Sequence, residues 1–248
     1  RNVGFFGCLP SHHLINNQLN TLSPFFNFMN GIEGTSDNQS NMDLGSDTLT
    51  LRGAANILGG RSLQPPLPSV VTDPISVGPN SGIQVGDLIL VSDCESGDIF
   101  QVTGMDANGL MSHGAGMSSP GNTSGALSKV YRASAFLYQP YVRSYDIRFG
   151  VNGIPTLFMT DKQGSQALVP GIENMVVWYG EDTDNDGVAN RYVRANQVVD
   201  MNRVVSVRIS LLAQTIENNV SELPVPYEFN QQVITPTDHR LRRVYTST

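Results

Sequence analysis

Asp182, Asp184 and Asp186, followed by Gly187, set three carboxylates at alternate positions of a turn-prone stretch. That spacing opens a D-x-D-x-D-G calcium loop, in which alternate carboxylates converge on one hard cation and glycine permits the sharp bend. A complete helix–loop–helix site would add a bidentate Glu at its twelfth position, where this chain has Val193. The competing reading is an Asx-rich turn whose acids are simply hydrated. Glu181 stands next to the triad and raises the idea of an acid–base pair for glycoside cleavage. Adjacent acids on an exposed turn, with no enclosing aromatic platform in sequence, read as solvated instead.

The remaining chemistry-bearing residues are sparse. His12, His13, His113 and His239 read as surface residues, because no Ser or Cys is set by a strained turn beside a base and an orienting acid. Gly121-Asn-Thr-Ser-Gly125 lacks the G-x-S-x-G spacing, and no phosphate loop or dinucleotide glycine fingerprint appears. No motif requires a cofactor; calcium at the acidic loop is the one candidate. The expectation is a protein that is not an enzyme. Asn38, Asn122 and Asn219 head Asn-x-Ser/Thr triplets, which an Asn- and Ser-rich chain produces by chance.

Cys8 and Cys94 could be free thiols, half a metal site or one disulfide. The chain looks exported: only Lys129 and Lys162 are lysines, and Asn, Ser and Thr are abundant. In an oxidising compartment a bridge is the simplest use of two distant cysteines.

The elements that must position these residues read as strands. Residues 171–187 run from a core strand into the acidic loop, with Trp178 and Tyr179 read as core rather than as a ligand platform. Residues 203–213 alternate, with Val205, Val207, Ile209 and Leu211 expected inward and Ser206, Arg208 and Ser210 outward. Arg208 would then be a salt-bridge or interface residue. Residues 83–92 and 98–103 read as a hairpin around a Glu-Ser-Gly turn. Shorter strands are expected at 48–53, 130–138, 142–150, 156–160, 167–169 and 240–248. The prolines between residues 59 and 79 forbid a helix or central strand there, and 105–128 and 215–238 read as loops. Residues 1–8 read as the end of a helix, and Phe25, Phe26 and Phe28 as a satellite aromatic cluster.

Charged residues make up 15% of the 248 positions, below the globular norm, and the deficit is filled by residues that favour strands and loops over helix. A net charge of −7 without a basic stripe argues against nucleic acid and against anionic membrane surfaces. No apolar run approaches the ~18 residues of a membrane span. The chain begins at Arg1, so a soluble piece of a longer, anchored protein is expected.

Several stretches, taken in order, carry a resemblance. They are Arg1-Asn-Val-Gly-Phe-Phe-Gly-Cys8, Val91-Ser-Asp-Cys94 with Ile99-Phe-Gln-Val102, Gly171-Ile-Glu-Asn-Met175, Tyr179 through Gly187, Val204 through Leu212, and Leu241 through Thr246. Together they resemble the PilW-type minor pilins of bacterial type IV pili, related to the J-type minor pseudopilins of type II secretion. The resemblance implies an α+β, pilin-like antiparallel sheet domain over residues 1–248, formerly packed on an N-terminal hydrophobic helix. It implies pairing of Cys8 with Cys94. It also implies a protein that helps initiate pilus assembly by contacting other minor pilins and the major pilin, with a place at the pilus tip. Localisation would be the inner membrane with a periplasmic domain, then the extracellular pilus, and membrane contact only through the missing helix. A tip adhesin or other ligand-binding surface β-domain is the alternative, and a secreted hydrolase ranks last.

Overall fold

The computed structural model describes residues 6–9, 12–20, 26–37, 46–56, 61–116 and 119–248. Residues 1–5, Phe25 and Asn38 therefore lie outside the described residues. Two compact units emerge, Arg1–Gly31 with Arg52–Val142, and Ile32–Leu51 with Arg143–Thr248.

The first unit contains β1 (Ile15–Asn17) and the end of β3 (Thr48–Asn56), whose Thr48–Leu51 portion pairs with β2 (Ile32–Thr35) inside the second unit. It continues with β4 (Ile75–Ser76), β5 (Leu88–Ser92), β6 (Gly97–Gln101), β7 (Gly104–Met105) and β8 (Leu110–Ser112). The expected hairpin is β5–β6, paired antiparallel from Leu88↔Gln101 to Ser92↔Gly97. Its first strand starts five residues later than periodicity suggested. Residues 84–87 form a turn instead: Gln84 and Asp87 are joined by hydrogen bonds in both directions, and Gly86 adopts φ +95°.

All ten residues of β5 and β6 are buried. Ile89, Val91 and Phe100 pack into one cluster with Leu63, Ile75 and Leu137. Leu88, Leu90 and Ile99 pack on the other side with Phe6, Leu9, Phe28 and Tyr138. A strand buried on both faces reads as an unbroken apolar run, as Leu88–Val91 does. β1 joins β6 in parallel, so the sheet is mixed rather than purely antiparallel.

β9 (Phe136–Phe149) is one strand where sequence suggested two. It meets β5 at 136–138 and β10 (Pro155–Asp161) at 144–149, leaving Pro140 outside both registers. A proline, which cannot donate to a ladder, is tolerated at such a position.

In the second unit β10 turns at Lys162–Gln163 into β11 (Gly164–Pro170). A four-stranded sheet follows in the order β13 (Arg191–Val193), β12 (Ile172–Glu181), β14 (Val204–Gln214), β17 (Arg242–Ser247). The small hairpin β15 (Tyr227–Phe229) and β16 (Gln232–Ile234) occupies part of the stretch expected to be loop. Met175, Val177 and Tyr179 of β12 face a cluster with Ile32 and Leu49, while Val176 faces one with Leu212 and Phe229.

The inward set of β14 is Val204, Val207, Ile209 and Leu211. Val205, expected inward, is 47% exposed. The reason is a bulge: Gly180 pairs Ser206 and Glu181 pairs Val204, so Val205 has no partner and the alternation breaks there. Strands dominate as expected. Among the described residues helix is confined to three-residue 3₁₀ turns, so the α part of the expected α+β class has no counterpart there.

Candidate functional site

The acidic loop joins β12 to β13, and its stem is closed by the Glu181↔Arg191 pair and by Asn190 N–H donating to Glu181 O at 3.0 Å. Asp182 shapes what lies between. Its Oδ1 accepts the amides of Asp184 (3.2 Å) and Asn185 (2.7 Å), and its Oδ2 accepts that of Gly187 (2.7 Å). Asn185 and Gly187 take φ +62° and +85°, left-handed conformations that Asn and Gly adopt at low cost. Burial works against the charge on Asp182, but the amides of Gly187 and Asn185 outweigh it and hold the carboxyl below its ordinary range. Asp184 and Asp186 are exposed, and one oxygen from each of the three acids lies within 4.8 Å of the others. The three residues singled out by spacing are thus brought together. Oxygens this close can share one hard cation, which favours carboxylate ligands.

Glu181 is not part of that triad and is not hydrated, contrary to expectation. Its carboxylate is 1% exposed. Oε2 accepts from Arg191 Nη2 (2.7 Å) and Nε (3.0 Å), and Oε1 from the amides of Val199 (3.1 Å) and Asp200 (3.2 Å). Burial alone would raise its pKa; the Arg191 bonds and the amides bring it below the ordinary glutamate value. A carboxylate so committed is a strut, not a proton donor.

Cys8 and Cys94 form a disulfide, with Cα atoms 5.0 Å apart across a sequence separation of 86. Cys94 sits in the β5–β6 turn at φ +72°, its amide donating to Ser92 Oγ at 3.1 Å. The bridge ties Phe6 and Leu9, both buried, to the hairpin whose Leu90 and Ile99 they pack against.

His113 departs from the surface reading: it is 2% exposed. Its ring nitrogens lie 3.1 Å from Gly125 O and 2.9 Å from Asp73 O, and Phe100 packs at 5.3 Å. Asn122, which heads one of the glycosylation triplets, is also buried. It accepts the Gln101 amide at 2.7 Å and donates to Gln101 O at 2.8 Å, as a strand partner would.

Three buried polar sites carried no signal in the sequence. Asp98 is fully buried and accepts from Asn16 (2.6 Å), Ser128 Oγ (2.6 Å) and Tyr131 (2.7 Å). Asp47 accepts the Val177 amide at 2.7 Å and pairs with Arg194, although burial is the larger influence and raises its pKa. Arg242, 5% exposed, forks to Glu173 (2.7 and 3.0 Å) and Asp238 (2.7 and 2.9 Å). Glu173 and Asp238 also line a cleft of about 270 Å³. Both are bound to one guanidinium, so they do not form the opposed acid and base that glycoside cleavage needs.

Tyr179 is core, as expected, at 1% exposure; Trp178 is half-buried on the opposite face. Arg208 points outward and stacks on Tyr192, 4.4 Å from its ring centroid. Trp178, Tyr192 and Arg208 share a second, larger cleft.

Residues 144–248 match the family model of PilW, the type IV pilus-assembly protein W. The matched stretch is almost all of the long segment of the second unit and includes the acidic loop, β12–β14 and β17. No curated protein and no solved structure matches the chain.

Proposed function

We propose that this protein is a PilW-type minor pilin that helps start type IV pilus assembly, acting through protein contacts rather than catalysis. The observation that carries the reading is the match of residues 144–248 to the pilus-assembly family. The bonding of Glu181, Glu173 and Asp238 supports it, since each carboxylate is engaged by an arginine. On this reading the partners are other minor pilins and the major pilin. The protein works from the cell envelope, ends in the pilus, and has its place at the tip.

The proposal includes a calcium ion at Asp182, Asp184 and Asp186, where it would stiffen the β12–β13 connection. Deleting the gene should reduce surface piliation and twitching, and a pull-down with the tagged chain should recover minor pilins. Unchanged piliation in the deletion strain would overturn the assembly role.

A further inference from the structure

The sheet β13-β12-β14-β17 packs one face on Ile32, Leu49 and their neighbours. Its other face is covered in part by the β15–β16 hairpin and leaves a cleft of about 520 Å³, within the ~300–1,000 Å³ of small-ligand sites. Trp178, Tyr192, Arg208, Glu228, Asn230 and Gln231 line it. We infer that this cleft binds a neutral carbohydrate, a unit of about two sugar rings by its volume. The inference rests on the cleft alone and is independent of the pilus-assembly reading.

Three properties select that ligand class. First, charge is balanced. Among the described lining residues Arg208 is the one cation and Glu228 the one anion. Arg208 is engaged already, stacked on Tyr192 and donating from Nε to Thr248 Oγ1 at 3.2 Å. With one residue of each sign the lining carries no net charge to favour an ionic ligand.

Second, an aromatic surface stands beside neutral hydrogen-bonding groups. Trp178 is half-buried, and Ser210, Thr246, Asn230 and Gln231 supply hydroxyls and amides around it. An aromatic face suits the C–H face of a pyranose, and the surrounding groups suit its hydroxyls.

Third, the cleft is poorly suited to an extended peptide. A docking strand needs a free sheet edge for its main-chain bonds. This cleft lies on a face, where β12 and β14 each have neighbours on both sides.

The rim adds a sign of purpose. Asn230 and Gln231, the two-residue loop between β15 and β16, both take positive φ, +50° and +65°. A primed hairpin turn requires this of both positions, and Gln, unlike Asn or Gly, adopts it at a cost. Such strain is kept where it places a functional group, here an amide at the mouth of the cleft.

Trp178 is the single tryptophan of the chain, so its fluorescence reports on the cleft directly. The chain is titrated with maltose, lactose, cellobiose and N,N′-diacetylchitobiose, following fluorescence and heat. At least one should give a saturable change, and Glu228→Ala, a change at an exposed side chain, should weaken it ~tenfold or more. Trp178→Phe, followed by calorimetry, should weaken it similarly while the variant melts as a folded protein. No saturable response to any of the four sugars would overturn the proposal. So would binding that both variants leave unchanged, or sialyllactose binding much more tightly than lactose.

Discussion

Glu181 and Arg191 stand at the two ends of the acidic loop and meet in an ion pair whose carboxylate is 1% exposed and whose guanidinium is 45% exposed. The carboxylate also holds the amides of Val199 and Asp200, so one side chain fixes both the loop stem and the return toward β14. Removing one partner of a fully buried pair costs roughly 3–5 kcal/mol. Because Arg191 is partly hydrated, the cost here is smaller. Glu181→Ala should destabilise by roughly 2–3 kcal/mol, set by the orphaned amides as much as by the lost pair. Urea unfolding measures it, and a change within error would show that the stem is held by the strands alone.

Acid should unfold the protein. The bonds from Arg242 depress the pKa of Asp238. In Glu181, Asp182 and Asp93 burial opposes the charge, but Arg191, backbone amides and Lys129 respectively outweigh it. Carboxyls depressed in the folded state add stability that is present above their unfolded values, 4.5 for Glu and 3.8 for Asp, and is lost as pH falls through the folded ones. Asp47 runs the other way. Burial raises it, so its contribution is full below 3.8 and declines as pH rises through its folded value. Asp73 is depressed as well, by the amides of Ser69 and Val70, and five against one predicts a urea midpoint that holds near neutrality and falls below about pH 4. A midpoint that rises on acidification would make Asp47 the dominant group.

The disulfide joins cysteines 86 positions apart. In the chain-entropy model that constraint contributes roughly 4–5 kcal/mol. Native protein should therefore offer no alkylatable thiol, and reduction or Cys94→Ser should lower the melting temperature sharply in the first unit. Two reactive thiols under native conditions would show that the bridge does not form.

Calcium is tested by the same kind of melt. A ligand held only by the folded state adds about 2.7 kcal/mol at a hundredfold excess over its dissociation constant. Calcium should raise the melting temperature, and the double change Asp184→Asn and Asp186→Asn should abolish the rise. Asp182 is left in place because its three backbone bonds shape the loop without an ion. A wild-type melt indifferent to calcium would leave the loop an Asx turn.

Local pattern alone was enough for the strand-rich class, the β5–β6 hairpin and the core strands β12 and β14, whereas β13, which closes the acidic loop, left no signal. Each rests on local information: alternation, β-branched residues and turn chemistry lie within a few positions of one another. It also marked the three aspartates, because their spacing is itself the signal. Where buried polar and charged side chains find their partners emerges only on folding. Asp98, Asp47 and Arg242 look like any polar residue until partners 30, 147 and 69 positions away close around them. The same holds for His113 and Asn122, which sit in a Gly- and Ser-rich stretch with no pattern to place them, and are buried by contacts with other segments. The bulge that turns Val205 outward is a property of two strands in register and cannot be read from either alone. The acidic loop itself divides between the two. Spacing set its three carboxylates in reach of one another, and burial separated Glu181 from them and gave it to Arg191.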